Sequence, residues 1–141
     1  MKAGEGVMIK KLDHVGMAVK NGEETLALLA RLFGFAAGEV RLEQEAGFKS
    51  TLISRSGVTL ELIEPVGPQG MIQRFIEKRG AGLHHISIQV DDLDEERTRL
   101  RALGVEFATE PAEMEDSRNV FLHPRSAGGL LIELVERPLK K

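Results

Sequence analysis

The stretch LHHISIQV, Leu83–Val90, opens with two adjacent histidines and continues with the alternation of a strand. Its reading decides the fold because the chain carries an earlier counterpart, DHVGMAV, Asp13–Val19. Each copy runs into a polar, acidic turn and then a helical pattern. The first is NGEETLALLARLFGF, ending at Phe35, and the second is DDLDEERTRLRALGV, ending at Val105. Leu26, Leu29 and Phe33 recur at helical spacing in one, and Leu93, Leu100 and Leu103 in the other. Asn21 and Asp92 are the N-cap candidates, with acidic residues in the first turn to suit the helix dipole. Gly34 and Gly104 stand where left-handed caps are expected.

Short strand candidates follow each helix. AGEVRLE, FKSTLIS and VTLELIE fill the first half, and VEFATEP, NVFLHP and GLLIELVE the second. The closing strands match most closely, LELIE (Leu60–Glu64) with IELVE (Ile132–Glu136). His14 and Glu61 are 47 residues apart, and His85 and Glu133 are 48 apart. Two copies of one β-α-β-β-β unit account for these spacings, which makes the fold class α+β. The connection PVGPQGMIQRFIEKRGAG holds a short helix near Met71–Arg79, stopped by Gly80. Residues 1–7 read as a flexible extension and 8–141 as one domain. Within it, module one spans 8–66, the connection 67–82 and module two 83–138.

Strand parity assigns faces. Val15, Met17 and Val19 oppose His14, Gly16 and Ala18, while Ile86, Ile88 and Val90 oppose His85, Ser87 and Gln89. In the closing strands Leu60 and Leu62 oppose Glu61, and Ile132 and Leu134 oppose Glu133. The large apolar sets belong under the helices. His14, Glu61, His85 and Glu133 therefore point to one non-helical face, from equivalent positions in the two copies. Two imidazoles and two carboxylates suit a divalent first-row metal, and cobalt, zinc, nickel and manganese are all compatible. A lone strand histidine is usually only hydrogen-bonded, and a lone glutamate solvated. Matched recurrence in pairs outweighs that bland reading, since clustered inward carboxylates are costly without a cation. His84 falls on the helix side as a packing residue, and His123, near Pro124 and the Gly128–Gly129 pair, reads as structural.

Composition narrows the function. The 141 residues suit one domain, and the absence of cysteine excludes disulfides and thiolate metal sites. A net charge of −3 with interspersed signs, and no tyrosine or tryptophan, argues against a nucleic-acid partner. No apolar run is long enough for a signal peptide or membrane span, so the expectation is a cytoplasmic protein with no membrane partner.

The chain resembles the vicinal oxygen chelate superfamily, and within it the methylmalonyl-CoA epimerase family. The matching pieces are KLDHVGMAV, EAGF, ELIEPVGP, FIEKRGAGLHHISIQVDD and NVFLHPRSAGGLLIEL. The resemblance implies a curved mixed sheet around a metal-binding cleft, an acyl-CoA substrate and a homodimer. It implies epimerisation by removing and returning the C2 proton through a metal-stabilised enolate. Its metal ligands fall on His14, Glu61, His85 and Glu133, with Glu133 also serving as a base. The second ligand can be glutamine in such epimerases, so Glu61 is a departure that resembles the set of glyoxalase I. The resemblance also implies a second catalytic acid at Glu45, in QEAGF; by itself Glu45 reads as a solvated loop acid. Two alternatives stand beside this reading: a glyoxalase I-type lyase acting on a glutathione hemithioacetal, and a metal-free ligand-sequestering protein. Lys49, Lys78, Arg118 and Arg125 are cations available to the coenzyme A phosphates, although surface cations are usually solvated and none is assigned.

Overall fold

The computed structural model describes residues 9–138, so the extension expected at 1–7 lies outside the described residues. The chain divides into two compact units, residues 14–84 and residues 85–138 with 9–13. The divisions fall inside two strands, β1 (Ile9–Ala18) and β5 (Gly82–Val90).

In the unit of residues 14–84, β1 leads to α1 (Gly22–Phe33), then β2 (Ala36–Glu43), β3 (Phe48–Arg55), β4 (Val58–Pro65) and α2 (Met71–Arg79). The strands lie in the order β2-β3-β4-β1, antiparallel except for the parallel β4–β1 pair. The β3–β4 hairpin turns on Ser56 and Gly57, both at positive φ (51° and 81°), the backbone twist that a two-residue hairpin loop requires. Helix α1 begins where the sequence predicts. The Asn21 side chain accepts from the Glu24 N–H at 3.1 Å, and Gly34 closes the helix in the left-handed conformation. Leu26 and Leu29 pack on Val19, Ile53 and Leu62, on the face opposite His14 and Glu61.

The face that carries His14 and Glu61 is not helix-free, as parity alone suggested. At its Ala18 and Ile63 end, α2 lays Ile72, Phe75 and Ile76 over the sheet. His84 meets the Phe75 ring edge-on at 5.0 Å, the packing role expected of it.

The other unit repeats the plan with β5, α3 (Leu93–Ala102), β6 (Ala112–Glu113), β7 (Arg118–Phe121) and β8 (Ile132–Glu136). Its order is β5-β8-β7-β6, again with the parallel pair formed by the first and last strands of the module. Asp92 caps α3 by accepting from the Glu95 N–H at 3.0 Å. Val90, Leu93, Val120, Leu122 and Leu134 form the core under that helix.

One expected strand is largely absent. VEFATEP is reduced to a single bridge, Phe107 with Leu122, and pairing resumes only at β6. Pro111 has no N–H to give a ladder, and the Thr109 hydroxyl takes the Phe121 N–H at 3.1 Å in place of a backbone carbonyl. Phe107 instead turns toward α3, beneath the guanidinium groups of Arg97 and Arg101. His123 caps a 3-10 turn at Pro124–Ser126, its Nδ1 accepting from the Arg125 N–H, which is a structural role.

The final glutamate of each closing strand has a repeated duty. Glu64 accepts from the Gly22 N–H at 3.2 Å, and Glu136 from the Leu93 N–H at 2.9 Å. Each carboxylate thus sits at the positive N-terminus of its own module's helix.

Candidate metal centre

The first His–Glu pair follows from parallel register. Gly16 lies opposite Glu61, so His14, two residues earlier, shares the Glu61 face. Gly16 puts no side chain in the way. His14 Nε2 lies 3.4 Å from Glu61 Oε1. His14 is buried, and the Glu61 side chain is 19% exposed. The other oxygen, Oε2, accepts a 2.7 Å hydrogen bond from the hydroxyl of Ser50, itself only 6% exposed.

The second pair has the same construction. Ser87 lies opposite Glu133, and His85 stands two residues before Ser87. Both His85 and Glu133 are buried. Across the antiparallel side of β8, Phe121 faces Glu133, and its ring meets His85 edge-on at 5.5 Å. Ser87 is wholly buried, and among the described residues its hydroxyl has no hydrogen-bond partner.

These residues fit a divalent ion by their chemistry. His14 with Glu61 in one unit, and His85 with Glu133 in the other, are donors of the kinds that suit a metal. Imidazole nitrogen and carboxylate oxygen are borderline and hard ligands, and a buried carboxylate without compensating charge is costly.

Arg137 adds a fixed positive charge in the unit that holds His85 and Glu133. It donates to both oxygens of Asp13, at 2.7 and 2.9 Å. The hydrogen bond to Asp13 raises its pKa above the ordinary arginine value against the cost of burial, helped by the charges of Asp13, Asp116 and Glu133. Asp13 directly precedes His14, so this clamp ties the C-terminal segment to the approach of a candidate ligand.

Glu45 is placed differently. It is exposed, on the turn between β2 and β3, and makes none of the described hydrogen bonds or ion pairs. The turn is tight: Gly47 is at φ 78°, and a Cβ there would lie 2.6 Å from the Gln69 carbonyl. Glu61 is level with Leu52, four residues up β3 from Phe48, or ~13 Å along the strand. The structure therefore brings His14 to Glu61, and leaves Glu45 in solvent at the end of the hairpin.

Sequence reading missed Ser50 and Arg137. Ser50 had a signal in its parity, since Ser50 and Leu52 share the Glu61 face of the β3–β4 pair. Arg137 had none, because its partner is 124 residues away.

The profile of the glyoxalase/bleomycin resistance protein/dioxygenase superfamily matches residues 13–121. The ethylmalonyl-CoA/methylmalonyl-CoA epimerase of Cereibacter sphaeroides is 34% identical over 131 residues, covering 90% of this chain and 98% of that protein. The chain belongs to the methylmalonyl-CoA epimerase family of that superfamily. Two epimerase structures share its fold. The methylmalonyl-CoA epimerase of Mycobacterium tuberculosis superposes with a TM-score of 0.87 at 31% identity, over 99% of this chain and 94% of that one. A variant Streptomyces coelicolor methylmalonyl-CoA epimerase, in complex with 2-nitronate-propionyl-CoA, does so with 0.83 at 27% identity, over 93% and 99%. No described helix of this epimerase-family chain is long and apolar enough to cross a membrane.

Proposed function

We propose that this enzyme interconverts the C2 epimers of methylmalonyl-CoA, using His14, Glu61, His85 and Glu133 as ligands of one divalent cation. The observation that carries the reading is the repeat-matched placement of a buried histidine and a glutamate on equivalent strands of both modules. Family membership supports the substrate class, as does the acyl-CoA analogue in the Streptomyces coelicolor complex. When bound, the cation supplies Lewis-acid stabilisation for negative charge developing on the thioester oxygen.

The chain's own groups handle the proton. Glu133 takes the C2 proton from one side of the substrate, its burial excluding water that would compete for that proton. Arg137, its charge largely balanced by Asp13, lies within coulombic reach of Glu133. An acid on the opposite side returns a proton to C2, which inverts the centre and leaves the atom count unchanged. The family resemblance gives that second role to Glu45, on the exposed turn between β2 and β3. We assign the assembly as a homodimer in the cytoplasm. Leu28, Leu32 and Phe33 of α1, all exposed, supply apolar surface consistent with association.

The test is incubation of the metal-loaded protein with a single epimer of methylmalonyl-CoA in deuterium oxide. Deuterium should appear at C2 in both epimers. No exchange, together with turnover of a glutathione hemithioacetal, would establish the glyoxalase I-type alternative, which the carboxylate at Glu61 favours. Ligand binding with no metal uptake and no turnover would establish the sequestering alternative.

A further inference from the structure

We propose that Ser50 is a positioning residue for Glu61, holding one carboxylate oxygen so that the other is presented to the metal on the His14 side. The proposal rests on Glu61 being a ligand, and it assigns a function to a residue outside the four-ligand set. Ser50 is opposite Ile63 on β4, while Leu52 is opposite Glu61, so Ser50 is the diagonal neighbour of Glu61 on the same face. From this diagonal the short serine side chain reaches the carboxylate. At 2.7 Å the O–H donates to Oε2 in the range of a charge-assisted bond. Oε1, turned the other way, is the atom 3.4 Å from His14 Nε2. A hydroxyl carries one proton to donate, and Ser50 spends it on Oε2.

The second module is built differently at the place of Ser50. Ile63 corresponds to Val135, so the place of Ser50 falls on Asn119 in the second module. Asn119 makes no side-chain hydrogen bond to Glu133 among the described residues. Glu133 is faced instead by Phe121, which also packs on His85. Glu61 is the more exposed of the two carboxylates, and the Ser50 hydroxyl holds it. A carboxylate with more water around it has more rotamers to lose on binding a cation, so a donor that fixes it in advance strengthens the site.

The experiment is titration of metal-free protein with cobalt(II), followed by calorimetry and by the visible absorption of the bound ion. Ser50→Ala should weaken cobalt binding about 10- to 100-fold, the usual effect of losing a group that orients a ligand. It should also change the cobalt spectrum. Ser50→Thr, which keeps the hydroxyl, should bind within a few-fold of the parent. In a Glu61→Ala background, removing the Ser50 hydroxyl should add little, because the two changes act on one element. Thermal unfolding of the metal-free variants separates this from a folding defect. Unchanged cobalt affinity and spectrum in Ser50→Ala, with weakened binding in Glu61→Ala, would overturn the proposal and leave the ligand set standing. Unchanged binding in both would overturn the ligand assignment of Glu61 itself, and the proposal with it.

Discussion

At the scale of single residues, the two glutamates proposed for proton transfer have opposite surroundings, and their variants should behave differently. Glu133 is buried opposite Phe121 and Ser87. Glu133→Gln removes a ligand charge and a base at once, so it should lower both metal content and epimerisation, the latter by ~100- to 10,000-fold. Glu45→Gln should keep the metal. If Glu45 supplies the second proton, epimerisation falls by a similar factor while deuterium still washes into one epimer. Near-normal epimerisation would return Glu45 to the solvated acid that its exposed turn suggests, and would pass the second role to Glu61. Atomic absorption and a chiral assay read the two outcomes separately. The shared face of His14 with Glu61, and of His85 with Glu133, was legible because a strand's period of two fixes facing, and the repeat supplies a control for each pair. For Ser50 parity gave the face, but its partner appears only once the β3–β4 register is known. Asp13 and Arg137 were hidden by sequence distance. Breaking that pair by Arg137→Ala should cost about 2 kcal/mol in chemical denaturation, below the ~3–5 kcal/mol of a fully buried pair, because Arg137 keeps 30% of its side-chain exposure.

At the scale of elements, helix starts and stops were read well because caps are local chemistry. Asn21, Asp92, Gly34 and the whole of α2 lie where side chains and glycines direct them. The missing strand after α3 shows the opposite case: its apolar residues looked like a ladder, but Pro111 and Thr109 satisfy the backbone differently. The repeated glutamates Glu64 and Glu136 were visible as a motif, yet their duty depends on the helix returning over β4 or β8. Glu136→Ala should lower stability by about 1 kcal/mol, as losing a carboxylate at a helix N-terminus does, with proton transfer left intact. Helix α3 carries a second acid–base link, from Asp94 to Arg118 of β7. The Arg118 hydrogen bond holds Asp94 below the usual carboxylate range. A depressed folded pKa contributes stability above the unfolded pKa of about 3.9 and loses it as pH falls through the folded value. The Tm difference between the parent and Asp94→Asn should therefore be small but present near neutrality and vanish in strong acid. A difference that grows on acidification would reverse the sign of this linkage.

At the scale of the whole molecule, the repeat makes a claim about stoichiometry. Each β-α-β-β-β module provides one histidine and one glutamate, from its first and last strands. A module alone offers two ligands, half of what a tetrahedral ion takes from a closed protein site. If all four serve one ion, the chain binds one cation, and losing either module's histidine should abolish tight binding. If each pair binds separately, two weak ions are expected, and His14→Ala should leave one of them undisturbed. Thermal unfolding distinguishes the two without any assay of turnover. A ligand at ~100 times its dissociation constant stabilises by about 2.7 kcal/mol. For a domain of this size that corresponds to a rise in Tm of roughly 5–10 °C, reversed by a chelator. His14→Ala and His85→Ala should each erase the rise completely, in equal measure, although they lie in different modules. Retention of half the rise by either variant would show that the modules act independently, and would remove the shared cation from the proposed mechanism.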